Sequence, residues 1–217
     1  MLWKKDRFSF CFSPVKLYLC SAMNNKSFDP DGLFRFSVQA EDDYSPWYAV
    51  RLFTLKTEAV ASYLKEHGLE IFIPMEWEDY VDKDNHRRRK LKPVVRNLVF
   101  IKKTTDEKNL RKLIIDSQYK MAVMLKSKES RNFYEIPSTQ MREFQMMCNP
   151  EIAMKKFLSE DEAKLKAGTP VMVTHGPLKG FSGKLVRSSK KYFLLKEVPG
   201  MAVMLKVSRW CCKAMEE

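Results

Sequence analysis

Two stretches of this chain carry residue types whose spacing suits binding chemistry. His86-Arg87-Arg88-Arg89-Lys90 is the densest run of positive charge, and its side chains could hold phosphates or contact exposed bases. A solvated hairpin tip is the alternative interpretation. The second stretch, Gly176-Pro177-Leu178-Lys179-Gly180-Phe181, predicts a tight turn that presents Leu178 and Lys179 at the surface. Phe181 could equally fill a core.

The sequence does not favour catalytic or metal chemistry. It has three histidines and five cysteines, and these form no Cys-x-x-Cys pair and no Cys/His dyad. Neither a Gly-x-Gly-x-x-Gly motif nor a P-loop occurs. We therefore expect a protein that is not an enzyme and that uses no metal and no cofactor. The cysteine pattern fits a reduced, cytoplasmic setting.

Positive charge is concentrated toward the C-terminus. The formal net charge is +12, and residues 164–217 contribute +8 of it, while residues 1–43 contribute none. A basic surface of this kind favours polyanions such as RNA or the ribosome. The alternative is a solvated lysine surface that aids solubility.

The first 43 residues predict a disordered extension rather than a targeting segment. Basic residues precede an apolar run as in a signal peptide, but Pro14 and Lys16 interrupt that run. Met23 could be the true start of translation. No segment is long and apolar enough to span a membrane, so we expect no membrane association.

Residues 44–148 predict an α+β domain, an antiparallel sheet flanked by helices. The expected strands are 47–52, 70–74, 77–81, 96–102 and 119–126. Helices are expected after Thr54, after a capping box at Thr104–Glu107, and from Ser138 onward. The second and third strands would form a hairpin, and residues 82–92 would form a long polar loop.

The remaining residues predict a linker and a second domain. Residues 149–166 are rich in lysine and glutamate and read as the linker. Residues 167–217 contain four short apolar strands separated by glycine turns. Four such strands within about fifty residues indicate a small β-barrel of the SH3 type. Met121–Lys126 recurs identically as Met201–Lys206, and this repeat suggests no function to us.

Both domains resemble parts of one known family. The segment from Val171 through Gly-Pro-Leu-Lys-Gly-Phe-Ser-Gly-Lys-Leu is similar to a KOW motif, with Gly180 at its defining glycine. Trp47-Tyr48-Ala49-Val50, Phe72-Ile73-Pro74 and Arg96–Ile101 together resemble the N-terminal domain of NusG-like transcription factors. Val95-Arg96-Asn97-Leu98 replaces the Phe-Pro-Gly-Tyr usual in general NusG proteins and is closer to specialised paralogues of the RfaH and UpxY kinds.

The resemblance implies a transcription elongation or antitermination factor, selective for long operons such as those of polysaccharide biosynthesis. It implies that the N-terminal domain docks an apolar cavity onto the clamp helices of the RNA polymerase β′ subunit. Val95 and Leu98 match the docking stretch, and Tyr48 and Phe53 are candidates for the same cavity. Plain core packing is the alternative for all four side chains.

Two further contacts follow from the same resemblance. The basic residues His86, Arg87, Arg88, Arg89 and Lys90 would face the upstream or non-template DNA. Leu178, Lys179 and Phe181 would contact a small-subunit ribosomal protein or the termination factor Rho, and the protein would be a monomer. A KOW-type RNA-binding, ribosome-associated protein is the alternative function that the sequence leaves open.

Overall fold

Short antiparallel strands with helices between them build the fold. The computed structural model describes residues 44–127 and 129–215, so the expected extension and the start at Met23 lie outside the described residues. The strands are β1 (Trp47–Leu52), β2 (Ile71–Phe72), β3 (Met75–Val81), β4 (Arg87–Pro93), β5 (Leu98–Lys102), β6 (Met121–Val123), β7 (Glu135–Ile136), β8 (Lys155–Ser159), β9 (Thr169–Val173), β10 (Ser182–Ser188), β11 (Lys191–Val198), β12 (Met201–Val207) and β13 (Cys212–Ala214). The helices are α1 (Thr57–Glu66), α2 (Glu107–Ile115), α3 (Ser138–Met147) and α4 (Glu160–Lys164), and a 3-10 turn spans Arg209–Cys211. This combination of antiparallel sheets and few helices confirms the expected mixed class.

The first sheet has the order β2-β5-β1-β6, and β7 pairs with the start of β1. Strand β5, within the expected strand 96–102, lies inside the sheet, between β2 and β1. Its register with β1 places Leu98 opposite Arg51 and Ile101 opposite Tyr48. Because side chains alternate between the two faces of a strand, this register decides which residues face which core.

One face of the first sheet packs against α1 and α2. Tyr48 and Val99 are fully buried there together with Val60 and Leu64 of α1. Leu110 of α2 completes the cluster. The apolar positions of both helices recur every three to four residues, so each helix presents one continuous apolar stripe to the strands.

The opposite face packs against α3 and against the second sheet. Leu98 and Phe100 lie in one buried cluster with Phe144 of α3 and with Leu194 and Val203 of the second sheet. The rings of Phe100 and Phe144 meet edge to face at a centroid distance of 5.5 Å. Within the described residues, the two sheets therefore share one buried cluster. Each sheet also has a cluster of its own, the first with α1 and α2 and the second around Phe193.

The second sheet follows the order β13-β9-β10-β11-β12-β8. The four expected strands of this region are present, as β9 to β12, and the path of strand pairing is open rather than closed. The segment 149–166, expected as a linker, contributes β8, which pairs with β12, and the short helix α4. A capping box of Ser159 and Glu162 starts that helix. The predicted capping box before α2 is wrong, because Asp106 is its N-cap and makes no side-chain cap bond.

Strands β3 and β4 form a separate two-stranded hairpin. The expected loop over 82–92 is wrong from Arg87 onward, since residues Arg87–Pro93 form β4. The register places Glu78 opposite Lys90 and Asp79 opposite Arg89. Opposite charges that face each other across β3 and β4 stabilise the pairing of these two strands. The sequence of β4 alone does not show this, because the acidic partners lie on β3. No helix among the described residues has the length and apolar composition needed to cross a bilayer.

Candidate functional site

The two residues that match the docking stretch lie together at a cavity. Val95 and Leu98 line a space of about 380 Å³, whose other walls include Arg51, Phe157 of β8 and Gly200. Val95 is half-buried, whereas Leu98 is only 3% exposed. The cavity therefore lies along the border between the two sheets, with apolar side chains from both.

Gly200, in the turn between β11 and β12, packs directly on Leu98. Its φ angle is +89°, and a Cβ atom at this position would lie 3.0 Å from Cδ2 of Leu98. Any other residue would have to push Leu98 aside and would be strained in this left-handed conformation. The Gly200 N–H donates a hydrogen bond to Oε2 of Glu160, at 3.0 Å. A hydrogen bond from Lys164 lowers the pKa of Glu160, so this carboxylate is charged at neutral pH.

Tyr48 and Phe53 are not part of this cavity. Tyr48 is fully buried on the opposite face of the first sheet, where its hydroxyl donates to Glu135 at 3.2 Å. Burial raises the pKa of Tyr48 to about 12, partly offset by the Lys103 ammonium. Phe53 follows β1 and is 65% exposed. The structure thus brings two of the four expected docking residues together and separates the other two.

The basic run lies on β4, where acidic side chains of the hairpin neutralise most of it. The ion pairs are Arg88 with Asp82 at 2.7 Å, Arg89 with Asp79 at 3.0 Å, Lys90 with Glu78 at 3.2 Å and Lys92 with Glu78 at 2.9 Å. Hydrogen bonds from Lys92 and Lys90 lower the pKa of Glu78. Arg87 begins the strand, is exposed, and has no ion pair within the described part of the chain.

Aromatic side chains of the hairpin also engage its cations. The Arg89 guanidinium lies 5.4 Å from the Trp77 ring centroid, and the Lys90 ammonium lies 5.2 Å from that of Tyr80. The indole N–H of Trp77 in turn donates to Glu151 at 3.0 Å. Arg87 and His86 lie near the tip of the hairpin. Among the described residues, they form neither an ion pair with a carboxylate nor a cation–π contact with an aromatic ring.

The glycine loop separates its three candidate residues. Gly176 and Gly180 have φ angles of +88° and +91°, which allow the chain to reverse tightly. Phe181 is 7% exposed and belongs to the shared core, and Leu178 packs half-buried against the same cluster. Lys179 is exposed. A partner could therefore reach Leu178 and Lys179, while Phe181 supports the loop from inside.

A buried ion pair between α3 and β11 was not predicted from the sequence. The Lys196 ammonium donates to the Glu143 carboxylate and to the Ser182 carbonyl oxygen, the latter at 3.0 Å. The Lys196 and Glu143 side chains are 9% and 18% exposed. Only the fold places these residues together, since each occupies a position that reads as polar surface in the sequence.

An exposed aromatic residue was also missed. Trp210, in the 3-10 turn, is 77% exposed, and its ring centroid lies 6.1 Å from that of His175. The available signal was its position between Arg209 and the C-terminal strand in the most basic part of the chain. Among the residues that the structure describes, no three histidine, cysteine, aspartate or glutamate side chains are grouped to hold a metal ion.

Comparison with known proteins assigns the first sheet to a family. Residues 45–145 match the NusG family, described as transcription termination factor nusG. No curated protein matches the chain. The matched range includes β1 to β7, both helices that cover one face, and the Val95 and Leu98 side of the cavity. Residues 45–145 of this chain therefore form a NusG-family domain, of the kind found in transcription termination and antitermination factors.

Proposed function

We propose that the protein is a transcription elongation or antitermination factor that binds RNA polymerase through its first sheet and suppresses pausing or termination. The observation that carries this proposal is the NusG-family match over residues 45–145, together with the cavity that Val95 and Leu98 line inside that range. Protein interfaces gain most of their binding energy from a few desolvated apolar anchors. Val95 and Leu98 are the anchors we propose for the β′ clamp helices.

The cavity must open for Leu98 to take this role. Phe157 and Gly200 form its wall on the side of the second sheet, and Leu98 is almost fully covered. Val95 is half-buried and so is accessible first. Docking through both residues therefore requires the β11–β12 turn to move away from the first sheet.

We also propose that the factor acts on specific long operons, such as those of polysaccharide biosynthesis. Support comes from Val95-Arg96-Asn97-Leu98, which is similar to the corresponding stretch of specialised paralogues. Upstream or non-template DNA would then contact the hairpin near its tip. Arg87 and His86 are the proposed contacts, since the neighbouring cations are already paired with carboxylates.

The second sheet is proposed to be an SH3-like KOW domain that recruits a ribosomal protein or Rho. The order of strands β9 to β13 supports this proposal. Strands β9, β10, β11 and β12 are neighbours in chain order, and β13 returns to pair with β9. The glycine loop between β9 and β10 presents Leu178 and Lys179 as the proposed contacts. Phe181 would hold the loop in shape from within the core.

Binding of purified RNA polymerase to single-residue variants tests the docking proposal. Val95→Glu places a charge in an apolar contact and should weaken binding at least about 30-fold, because losing an interface hot spot costs about 2 kcal/mol or more. Val81→Glu is the matched control, because Val81 lies on the hairpin and is 60% exposed. Thermal melting of both variants shows whether the fold is retained. Equal polymerase affinity of the two folded variants would contradict the docking surface.

A further inference from the structure

Five side chains lie in two contacting groups, which the 3-10 turn after β12 joins because it carries both Arg209 and Trp210. The guanidinium groups of Arg187 and Arg209 each lie 5.9 Å from the Tyr192 ring centroid. Trp210 follows Arg209 in the 3-10 turn, and its ring lies 6.1 Å from that of His175. We call these five residues the aromatic strip.

The backbone fixes the strip in place. Arg187 of β10 is the register partner of Tyr192 of β11, so their side chains share one face of the sheet. The Thr174 N–H donates to the carbonyl oxygen of Cys211 at 2.7 Å. The Thr174 hydroxyl donates to the same oxygen at 3.0 Å. These two bonds tie the loop that carries His175 to the turn that carries Trp210.

Positive charge around the strip is not neutralised. Between residues 165 and 215 the sequence has one acidic residue, Glu197, and it pairs with Lys184 at 3.0 Å. Lys196 pairs with Glu143, from α3. Among the described residues, the other lysines and arginines of this segment, Arg187 and Arg209 included, form no ion pair.

Trp210 presents a flat apolar surface to water in the middle of this charge. At 77% exposure, its indole contributes little to the core, and large apolar surfaces left exposed often mark binding sites. Single-stranded nucleic acid matches both features, because its bases stack on aromatic rings while its phosphates contact arginine and lysine. A duplex hides the faces of its bases and would leave the indole unused. A purely apolar protein partner would have to desolvate Arg209.

We propose that the aromatic strip binds single-stranded nucleic acid, with Trp210 as the platform for a base and Arg209 and Arg187 as phosphate contacts. His175 extends the platform beside Trp210. This site is separate from the cavity at Val95 and Leu98, and it does not depend on polymerase docking. The strip uses basic residues that are dispersed in the sequence and are brought together only by the fold of the second sheet.

Fluorescence anisotropy with the full chain tests the proposal. The probes are labelled uridine-rich RNA of about 15 nucleotides, DNA of the corresponding sequence, and the matching duplex. We expect both single strands to bind more tightly than the duplex. A preference between RNA and DNA would show which of the two nucleic acids is the ligand of the strip. Trp210→Ala should weaken binding roughly 5- to 100-fold, and Trp210→Phe should retain most of the affinity. Arg209→Ala should reduce the slope of log affinity against log salt by about 0.7.

The hairpin provides a matched control. Trp77 and Arg89 form a similar aromatic–arginine pair there, at 5.4 Å, but Arg89 is also bound to Asp79. Trp77→Ala and Arg89→Ala should leave oligonucleotide affinity unchanged. The proposal is overturned if these variants lose as much affinity as the Trp210 variant, or if Trp210→Ala binds as well as the unaltered chain. A preference for duplex, or no oligonucleotide binding by the unaltered chain, would also overturn it and leave the strip to a protein partner.

Discussion

The β3–β4 hairpin and the aromatic strip use the same residue types to different effect. In the hairpin, the Arg89 guanidinium lies over Trp77 and also 3.0 Å from Asp79. In the strip, Arg209 lies over Tyr192 and has no acidic partner among the described residues. The run of highest positive charge in the sequence is therefore the more neutralised of the two surfaces. Charge density along a chain is a poor measure of surface potential, because the cross-strand neighbour decides how much charge remains.

The difference has a structural reason. The hairpin is an isolated two-stranded sheet, and such a sheet is marginally stable unless its side chains add to the pairing. Opposite-charge pairs across strands contribute about 0.2–1 kcal/mol each. The second sheet has six strands and a buried core beneath them, so its outer cations are not needed for stability. They remain available to a ligand.

The same comparison can be made between a buried and an exposed ion pair. The buried pair of Lys196 and Glu143 gives the largest loss of stability that we expect from any of these substitutions. Glu143→Ala would leave the ammonium of Lys196 buried, with only Ser182 as a remaining partner. Removing one member of a buried pair costs about 3–5 kcal/mol of unfolding free energy, because the other charge is left uncompensated. Urea unfolding measures this loss.

Asp79→Ala is the exposed counterpart for that measurement. Its pair with Arg89 has side-chain exposures of 78% and 63%, against 18% and 9% for Glu143 and Lys196. Exposed pairs contribute about 0–1 kcal/mol, so this variant should unfold almost as the unaltered chain does. Similar losses for both variants would show that burial does not separate these two kinds of ion pair.

Local sequence patterns predicted much of the fold. Alternation located β1, a continuous apolar run located β5, and the three- to four-residue period located α1 and α3. Glycines marked the β9–β10 and β11–β12 turns of the second sheet, whereas Ser189 and Lys190 form the β10–β11 turn with positive φ angles. These signals lie within a single element, so they can be read without knowing what that element packs against. They also carried the family resemblance that the match over residues 45–145 supports.

The features that escaped prediction depend on distant partners. Strand β4 is polar and basic, and it becomes a strand because β3 supplies matching acids. Strand β8 lies in a segment that reads as a linker, and its pairing with β12 gives it a place in the sheet. The contact of Gly200 with Leu98 joins residues about a hundred positions apart, and no local pattern contains it.

Removing the acids of the hairpin should turn it into a polyanion-binding surface. The triple change Glu78→Gln, Asp79→Asn and Asp82→Asn frees Lys90, Arg89 and Arg88. Each new phosphate contact should steepen the slope of log affinity against log salt concentration by about 0.7. The affinity for single strands at low salt should rise roughly tenfold. Anisotropy titrations at several salt concentrations measure both quantities.

A charge-matched variant controls for the change in net charge. Glu58, Glu66 and Asp116 are exposed on or beside α1 and α2 and form no ion pair among the described residues. Converting these three acids to amides alters the net charge equally without freeing any paired cation. If this variant gained as much affinity as the hairpin variant, total charge and not local pairing would control polyanion binding.

The smallest expected effect concerns how the hairpin holds Arg89. Arg89→Gln removes both the ion pair with Asp79 and the stacking on Trp77, whereas Trp77→Leu removes the stacking and the hydrogen bond from Trp77 to Glu151 but leaves the ion pair. An exposed ion pair contributes about 0.2–1 kcal/mol, and an exposed cation–π contact about 0.5–1 kcal/mol. Hydrogen exchange of the hairpin amides measures these losses locally, because a two-stranded hairpin can open without global unfolding.

Salt separates the two contributions. At about 1 M salt the Debye length falls to roughly 3 Å, so the contact between Arg89 and Asp79 is strongly screened. The loss caused by Arg89→Gln should then shrink toward the contribution of stacking alone, since stacking on an aromatic face retains a packing component that salt does not remove. If the loss from Arg89→Gln were independent of salt, Asp79 would not hold this cation. Arg89 would then be as available to phosphate as Arg209, and the contrast between the hairpin and the aromatic strip would have to rest on geometry alone.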